Sequence, residues 1–359
     1  MKLLLTCDAV GGVWQYSLDL ARGLRAHDVE TVLAVMGPAP SPGQRAGAEA
    51  VCAEVIETGL PLDWLAADAE QVRAAGQAIA KLAGEARADL VQLHAPALAA
   101  GVRFSVPVVA AIHSDVGTWW AAVRGGGLPD DFGWRVALVG EGLAAADLAV
   151  APSRAFADQV AAYYGARPQA VHNGRTAMPV SAAGRADHAF TAGRLWDAAK
   201  DLVTFDEAAA LSRTPFRAAG PVQGPHGERI LPRHATALGS LSDEALGAEL
   251  AARPVFVSTA VYEPFGLAVL EAAQAGCALV LADTPTFREL WDGAALFVPP
   301  RDPGAVARAV DALIAGPTQR DALGAAARER AGRYTPEATA ARMADLYARL
   351  LAPALEAAA

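Results

Sequence analysis

Short apolar runs recur along the chain, separated by longer segments whose apolar positions follow a helical spacing. In the first half, five runs have the length and aliphatic content of buried parallel strands: 2–6, 30–36, 89–94, 106–113 and 148–151. The segments 14–25 and 63–87 lie between them and predict amphipathic helices. Glycine and proline predict a loop over 37–47. The alternation predicts an α/β chain with a doubly wound parallel sheet.

The second half repeats this order. Strands are predicted over 188–195, 254–258, 278–282 and 295–298, and helices over 201–211, 267–275 and 337–351. The interval 215–253 is broken by glycine and proline and predicts short, irregular structure. A chain of 359 residues is too long for one typical core, so two domains are expected. The polar, Pro- and Gly-containing segment 175–187 favours a linker between them.

Composition narrows the class of protein. A formal net charge of −9 argues against nucleic acid as a partner. No apolar stretch reaches the ~18 residues of a membrane span, so at most a weak peripheral association with membranes is expected. The N-terminal run indicates a strand and not a signal peptide. The three cysteines lack metal-ligand spacing and predict buried thiols in a reducing compartment, so we expect a cytoplasmic protein.

The segment Glu263-Pro264-Phe265-Gly266 connects the predicted strand 254–258 to the predicted helix that starts at Leu267. Parallel α/β sheets bind ligands at such carboxyl ends of strands. Gly266 allows the backbone to approach a ligand closely, and the first helix amides can bind an anion. Glu263 in the turn and Glu271 in the helix can each accept a hydroxyl proton. Two hydroxyl acceptors beside a phosphate cradle predict a sugar-nucleotide site.

The predicted strand 188–195 ends in Gly193-Arg194-Leu195, and Lys200 lies close behind it. Arg194 offers a planar fork and Lys200 a mobile point charge, a combination that suits a diphosphate. The alternative is a pair of surface charges at a helix start. Lysine is rare in this chain, since Lys2, Lys81 and Lys200 are the three among 30 basic residues. This rarity favours a functional role for Lys200.

The pattern Glu-Pro-Phe-Gly-Leu-x-x-Leu-Glu at 263–271 resembles the donor-site signature of the retaining GT-B glycosyltransferases of family 4. The resemblance extends over nearly the whole chain and is most specific from 193 to 300. It implies two Rossmann-like domains with a cleft between them: an acceptor-side domain over 1–175, a nucleotide-sugar domain over 176–335, and a last helix over 336–359 that packs back on the first domain.

The resemblance also implies roles for individual residues. Arg194 and Lys200 would bind the pyrophosphate of the donor, Glu263 the sugar hydroxyls and Glu271 the ribose. The loop at Gly11-Gly12 and the segment Pro264, Phe265, Gly266 and Leu267 would complete the donor site. His113, at a strand end, resembles the family histidine beside the donor sugar.

The acceptor side offers further candidates. His94 lies at another strand end, Asp115 follows His113, and Trp119 and Trp120 fall in a segment with the glycine run 125–127. These tryptophans could stack on an acceptor from a flexible loop, or they could pack a loop and helix onto the domain.

Together these features predict a hexosyltransferase that uses a UDP- or GDP-sugar as donor and a hydroxyl-bearing acceptor, in polysaccharide or glycoconjugate synthesis. No cofactor and no metal are expected, because Asp-x-Asp is absent and arginine and lysine supply positive charge. A GT-B epimerase or phosphorylase and a non-catalytic sugar-nucleotide-binding protein remain alternatives. A two-domain NAD enzyme is disfavoured because the Gly-x-Gly-x-x-Gly fingerprint is absent.

The sequence departs from the family at two places. Asp201 follows Lys200 where the family usually has glycine. The interval 215–253 covers the region that normally forms the nucleobase pocket, so the donor base stays open. Within it, the segment 238–242 resembles the strand that precedes the base site.

Overall fold

The computed structural model describes residues 1–178, 184–225 and 227–358, with the side chains of 353–358 left aside. The chain folds into two compact units. Unit 1 consists of Met1–Gly174 and the C-terminal segment from Thr335, and unit 2 of Arg175–Tyr334. The linker predicted over 175–187 falls partly on residues 179–183, which lie outside the described residues.

Unit 1 is built on a parallel sheet. Its strands are β1 (Lys2–Asp8), β2 (Glu30–Met36), β3 (Glu54–Glu57), β4 (Leu90–Leu93), β5 (Val108–Ala111), β6 (Leu148–Ala151) and β7 (Gln169–Ala170). Among the described residues of this unit they are ordered β3-β2-β1-β4-β5-β6-β7. The strand order reverses direction between β1 and β4, which is the switch point where doubly wound sheets bind ligands.

Helices cover this sheet. They are α1 (Gly12–Leu24), α2 (Pro42–Glu49), α3 (Ala69–Glu85), α4 (Val116–Val123), α5 (Gly133–Ala145) and α6 (Arg154–Tyr164). The C-terminal helix Pro336–Ala358 also belongs to unit 1 and buries Ala340, Met343, Leu346 and Tyr347 in one cluster with Leu20 and Leu24 of α1. A Cβ on Gly23 of α1 would lie 2.6 Å from the Cβ of Ala340, so this glycine allows the two helices to pack closely.

Unit 2 has a second parallel sheet. Its strands are β8 (Ala189–Ala192), β9 (Phe216–Ala219), β10 (Thr236–Gly239), β11 (Val255–Ser258), β12 (Ala278–Ala282) and β13 (Leu296–Val298). Within the described part of this unit their order is β10-β9-β8-β11-β12-β13. The switch point lies between β8 and β11, whose carboxyl ends lead to Arg194 and Glu263 respectively. The topology therefore brings the predicted phosphate and sugar ligands to one sheet edge.

Six helices in the described part of unit 2 flank that sheet: α7 (Leu202–Leu211), α8 (Asp243–Ala251), α9 (Leu267–Ala275), α10 (Pro285–Trp291), α11 (Pro303–Ala315) and α12 (Pro317–Ala331). The C-terminal helix Pro336–Ala358 of unit 1 is α13. Asp302 caps α11 by accepting from the amide of Ala305 at 2.8 Å, with Pro303 at the first helical position, as its sequence predicts. The predicted α/β class of two parallel sheets is confirmed.

Two predictions from glycine and proline content are wrong in part. The loop expected over 37–47 contains the start of α2, where Ser41 and Gln44 form a capping box and Pro42 opens the helix. The interval 215–253, expected to be irregular, holds β9, β10 and α8. The prolines of both intervals lie outside the strands or, as Pro42, at the first helical position, whereas Gly47 and Gly247 lie inside α2 and α8, since a helix interior tolerates an isolated glycine.

Candidate active site

The turn between β11 and α9 places a glutamate beside a helix start. Gly266 has a φ of 94°, and a Cβ there would lie 3.2 Å from Cγ of Glu263 and 3.3 Å from a ring carbon of Phe287. The left-handed backbone and the close packing both favour glycine. No side chain of the described residues caps α9. Its first amides therefore keep the anion-binding capacity of a helix N-terminus.

Lys200 and Glu263 form an ion pair at this turn. The Lys200 ammonium donates to Oε2 of Glu263, and the two side chains are 24% and 15% exposed. Both residues line one depression together with Gly193, Ser258, Thr259 and Ala268. The structure thus brings together two of the residues that the sequence predicts for the donor site.

Asp201 explains how Lys200 is positioned without the usual glycine. Its φ is 49°, a left-handed value that Asp tolerates better than most residues because its side chain bonds locally. Oδ2 accepts from the Thr204 hydroxyl at 2.6 Å at the start of α7. Thr259, beyond β11, donates its hydroxyl to the carbonyls of Lys200 and Asp201 at 3.0 and 2.9 Å.

Arg194 follows β8 and reaches further into solvent than Lys200. Its side chain is 51% exposed, and Nη2 donates to Oδ2 of the buried Asp197 at 3.1 Å. The guanidinium carbon lies 5.7 Å from the ring centroid of Trp196. Arg194 does not line the depression that contains Lys200. It is held at the same sheet edge by contacts that leave much of the side chain accessible.

Glu271, on the second turn of α9, is not the solvated helix residue that its polarity alone would favour. Its Oε1 accepts from Nε of Arg175 at 2.7 Å, and the two side chains are 12% and 10% exposed. Arg175 is fixed further because its carbonyl accepts from Nε2 of Gln274 at 2.7 Å. Sequence reasoning placed Arg175 in the linker and missed this partner, since a separation of 96 residues gives no local signal.

The Gly11-Gly12 turn of unit 1 is held by the carboxylate that precedes it. Oδ1 of Asp8 accepts from the amides of Val10 and Gly11 at 2.8 and 3.1 Å. Helix α1 then begins at Gly12 with no side-chain cap among the described residues. This turn lies at the carboxyl end of β1, beside the switch point of the sheet.

His113 lies beyond β5, among aromatic rings. Its ring centroid is 4.6 Å from that of Tyr16 and 4.8 Å from that of His94. Nε2 is buried and has no hydrogen-bond partner within the described residues. Burial lowers the pKa of His113 to about 4, so the ring is neutral at pH 7. A buried imidazole nitrogen without a partner is suited to a hydroxyl of a bound ligand.

The acceptor candidates His94 and Asp115 use their polar atoms inside unit 1. Nε2 of His94 lies 2.8 Å from Nε2 of Gln92, and Nδ1 lies 3.3 Å from the Ser17 hydroxyl. Burial, and then the nearby His113, lower the pKa of His94 well below its ordinary value. Asp115 caps α4 by accepting from the Thr118 amide at 2.9 Å, and it also accepts from the Tyr164 hydroxyl at 2.5 Å.

Trp119 and Trp120 lie on α4 and not on a flexible loop, which favours the second alternative, that they pack a loop and helix onto the domain. The helix could have been recognised from its N-cap, because Asp115 precedes Val116 and accepts from the amide of Thr118. Trp120 donates its indole N–H to the carbonyl of Gly127 at 3.1 Å, and its ring lies 5.7 Å from that of Phe132. These contacts pack the glycine run and the next turn onto α4.

Two features are absent from the described ranges. No group of three or more His, Cys, Asp or Glu side chains there could hold a metal ion. Within the same ranges, no helix has both the length and the apolar character that crossing a membrane requires.

Two family models match the chain. The model "Glycosyltransferase Family 4" matches residues 10–175, and the model "Glycosyl transferases group 1" matches residues 226–330. No curated protein matches the chain.

Solved structures share the fold over nearly the full length. A sucrose-phosphate synthase from Thermosynechococcus elongatus is 19% identical, with a TM-score of 0.80 over 98% of this chain and 100% of that one. The HepE protein of Anabaena in complex with UDP-glucose is 17% identical, with a TM-score of 0.75 over 97% and 100%. A glycosyltransferase from Rickettsia africae is 15% identical, with a TM-score of 0.68 over 98% of each chain.

The fold is therefore that of the GT-B enzymes, with two doubly wound α/β units. Taken with the two family matches, it makes this chain a glycosyltransferase of the GT-B class.

Proposed function

We propose that the protein transfers a hexosyl unit from a UDP- or GDP-sugar to a hydroxyl acceptor with retention of anomeric configuration. The observation that carries the proposal is the Lys200–Glu263 pair beside the uncapped start of α9. A cation, a carboxylate and helix amides meet there at the carboxyl edge of a parallel sheet. A phosphate and a neighbouring sugar hydroxyl need these groups side by side.

Donor binding would exchange the partners within this pair. Both side chains keep some access to solvent, at 24% and 15% exposed, so each can turn from its partner to a bound ligand. Lys200 would turn to a phosphate oxygen and Glu263 to hydroxyls of the sugar. Lys200, Arg194 and the amides at Gly266 and Leu267 would then stabilise the charge that grows on the leaving diphosphate, which is usually the largest contribution in such reactions.

The remaining candidates divide between the two units. Glu271 would hold the ribose, with Pro264 and Phe265 shaping the turn. Unit 2 would thus bind the nucleotide. In unit 1, the Gly11-Gly12 turn would face the donor and Nε2 of His113 would bind a sugar hydroxyl. The protein would need no metal ion, since cationic side chains and helix amides neutralise the diphosphate.

For the acceptor side we propose two kinds of role. Trp119 and Trp120 are half-buried on α4, so part of each ring can contact an acceptor. His94 and Asp115 already use their polar atoms in internal hydrogen bonds and would orient their neighbours. The expected setting is cytoplasmic polysaccharide or glycoconjugate synthesis, with at most weak membrane association.

Calorimetric titration of UDP, GDP, ADP and NAD into the wild type, Arg194→Ala and Lys200→Ala tests the donor site. Lys81→Ala is the matched control, because Lys81 is 79% exposed on α3 and pairs with Glu85. We expect one nucleoside diphosphate to bind, and the Lys200 variant to weaken it about ten- to a hundredfold, as loss of a charged hydrogen bond does. Arg194→Ala should weaken it as well, and Lys81→Ala should bind like the wild type.

Binding of NAD alone, or equal binding by all variants, would contradict the proposal. Turnover separates the remaining alternatives. A transferase releases the nucleoside diphosphate and forms a new glycoside with the same anomeric configuration as the donor, which NMR of the product detects. An epimerase converts the sugar nucleotide without releasing the diphosphate, and a non-catalytic binding protein changes nothing.

A further inference from the structure

A chain of polar side chains crosses the core of unit 1 from the C-terminal helix to the start of α1. The Tyr347 hydroxyl on α13 bonds to Oε1 of Gln92 on β4, and Nε2 of Gln92 lies 2.8 Å from Nε2 of His94. Nδ1 of His94 lies 3.3 Å from Oγ of Ser17 on α1. Tyr347, Gln92 and Ser17 are fully buried. Burying so many polar atoms is costly unless each has a partner.

The direction of each hydrogen bond follows from the last member of the chain. Ser17 donates its single hydroxyl proton to the carbonyl of Val13 at 2.7 Å. Its Oγ must then accept from His94, so Nδ1 of that ring carries the proton. Nε2 of His94 is consequently an acceptor, and the Gln92 amide nitrogen donates to it. Oε1 of Gln92 is left to accept from Tyr347. All four bonds are satisfied in this arrangement, and His94 is the neutral Nδ1–H tautomer.

This arrangement gives His94 no free nitrogen for a ligand. Its ring instead meets the His113 ring at 4.8 Å in an edge-to-face contact, with Tyr16 against both. The backbone amide of His94 is also fixed, because it donates to the Thr6 hydroxyl at 3.0 Å. Nε2 of His113 is the nitrogen of this cluster that lacks a partner within the described residues.

We infer that Gln92 and Tyr347 are positioning residues, which lock His94 as the neutral Nδ1–H tautomer so that its ring holds His113 with Nε2 open to a bound hydroxyl. The tautomer stands on the hydrogen bonds alone. The effect on catalysis rests on the proposed role of His113 as a sugar contact. Neither Gln92 nor Tyr347 touches the substrate in this arrangement, and both act through His94.

Long-range ¹H–¹⁵N correlation spectra of histidine-labelled protein at pH 7 report the tautomer directly. Loss of a ring signal in His94→Asn and in His113→Asn assigns the two residues. We expect His94 in the wild type to be protonated on Nδ1 alone. In Gln92→Met the donor to Nε2 is lost. The Ser17 hydroxyl can then turn from Val13 to donate to Nδ1, so we expect a mixed or inverted tautomer together with shifted ring signals of His113.

Tyr347→Phe is the milder second variant, since it removes a single oxygen and leaves the Gln92 amide free to rotate. Tyr347→Phe should give part of the same change in the His94 tautomer, and it provides the test if Gln92→Met fails to fold. Tyr334→Phe in unit 2 is the matched control, because it also removes a buried tyrosine hydroxyl bond, to the carbonyl of Leu290 at 3.1 Å. That variant should leave both histidine spectra unchanged.

A wild-type His94 protonated on Nε2 would overturn the inference, as would a folded Gln92→Met variant that keeps the wild-type His94 tautomer, or one whose His94 tautomer alters while the His113 signals stay unchanged. Turnover adds a third readout. We expect Gln92→Met to lower kcat about ten- to a hundredfold, as a misplacement of about 1 Å does, while the Kd of the nucleoside diphosphate stays within twofold, an effect of about 0.4 kcal/mol. If the wild type binds no nucleoside diphosphate, the proposed function fails while the tautomer result still stands.

Discussion

Lys200 and Glu263 neutralise each other in the free protein, so the two charges have opposite effects on the affinity for a diphosphate. Removing the carboxylate leaves the ammonium without its counter-charge, at a side chain 24% exposed. We expect Glu263→Gln to bind the nucleoside diphosphate at least as tightly as the wild type, while turnover of the sugar nucleotide falls about a hundredfold, because a hydrogen bond made in the transition state is lost.

Calorimetry with the nucleoside diphosphate and turnover of the full donor measure the two effects separately. Glu85→Gln on α3 is the matched control, since it removes the carboxylate partner of the exposed Lys81. Weaker binding of the diphosphate by Glu263→Gln would contradict the exchange of partners in this pair.

Arg175 and Glu271 form a different kind of pair, because both side chains are largely buried. Breaking such a pair leaves an uncompensated charge, which typically costs about 3–5 kcal/mol. We expect Arg175→Met to destabilise unit 2 by about that amount, and the double variant Arg175→Met/Glu271→Leu to recover most of it. Urea unfolding of both single variants and the double variant completes the cycle. Additive losses in the double variant would show that the pair is not coupled.

At the scale of single elements, the start of α7 depends on a left-handed residue that also caps the helix. Asp201→Gly keeps the backbone conformation and should cost only about 0.5 kcal/mol for the lost cap. Asp201→Ala loses the cap and also places a Cβ in the left-handed region, so about 2 kcal/mol is expected. Urea unfolding ranks the two variants. An alanine variant as stable as the glycine variant would mean that the backbone at this position is not strained.

Most helices and strands were predictable from patterns within a few residues, and those that were missed carry glycine or proline nearby. The apolar strand runs and the Asp302-Pro303 cap were predictable because buried parallel strands and helix starts leave signals within a few residues. Helix α2 was missed although Ser41, Pro42 and Gln44 carry a capping box, because the glycines and prolines around it outweighed that signal. The same bias hid β9 and α8.

The candidate site was predictable to the extent that its residues share a sheet edge. Lys200 and Glu263 are 63 positions apart, yet each follows a strand that leads to the same switch point, so topology alone brings them close. Arg175 as the partner of Glu271 and Tyr347 as the partner of Gln92 were not predictable. Their contacts depend on side-chain packing between distant segments, which no periodicity or spacing encodes.

At the scale of the whole molecule, the half-buried histidines His94 and His113 tie stability to pH. The pKa of His113 is lowered by burial from 6.5 to about 4, so between these values the unfolded chain binds a proton that the folded chain does not. Stability gained from burying the neutral ring is present above pH 6.5 and is lost as pH falls towards 4. From pH 7 to pH 5, His113 alone should lower the free energy of unfolding by about 2 kcal/mol.

His94 contributes in the same direction, since burial lowers its pKa as well. Urea unfolding of the wild type and His113→Phe at pH 7 and pH 5 measures the share of His113. We expect the variant to lose about 2 kcal/mol less than the wild type over this interval. His27→Gln, which removes an exposed histidine after α1, is the control and should follow the wild type. An equal loss of unfolding free energy in His113→Phe and the wild type would mean that the His113 ring takes up a proton as readily in the folded as in the unfolded chain. Nε2 of His113 would then not be the buried, unpartnered nitrogen that the proposed contact with a sugar hydroxyl requires.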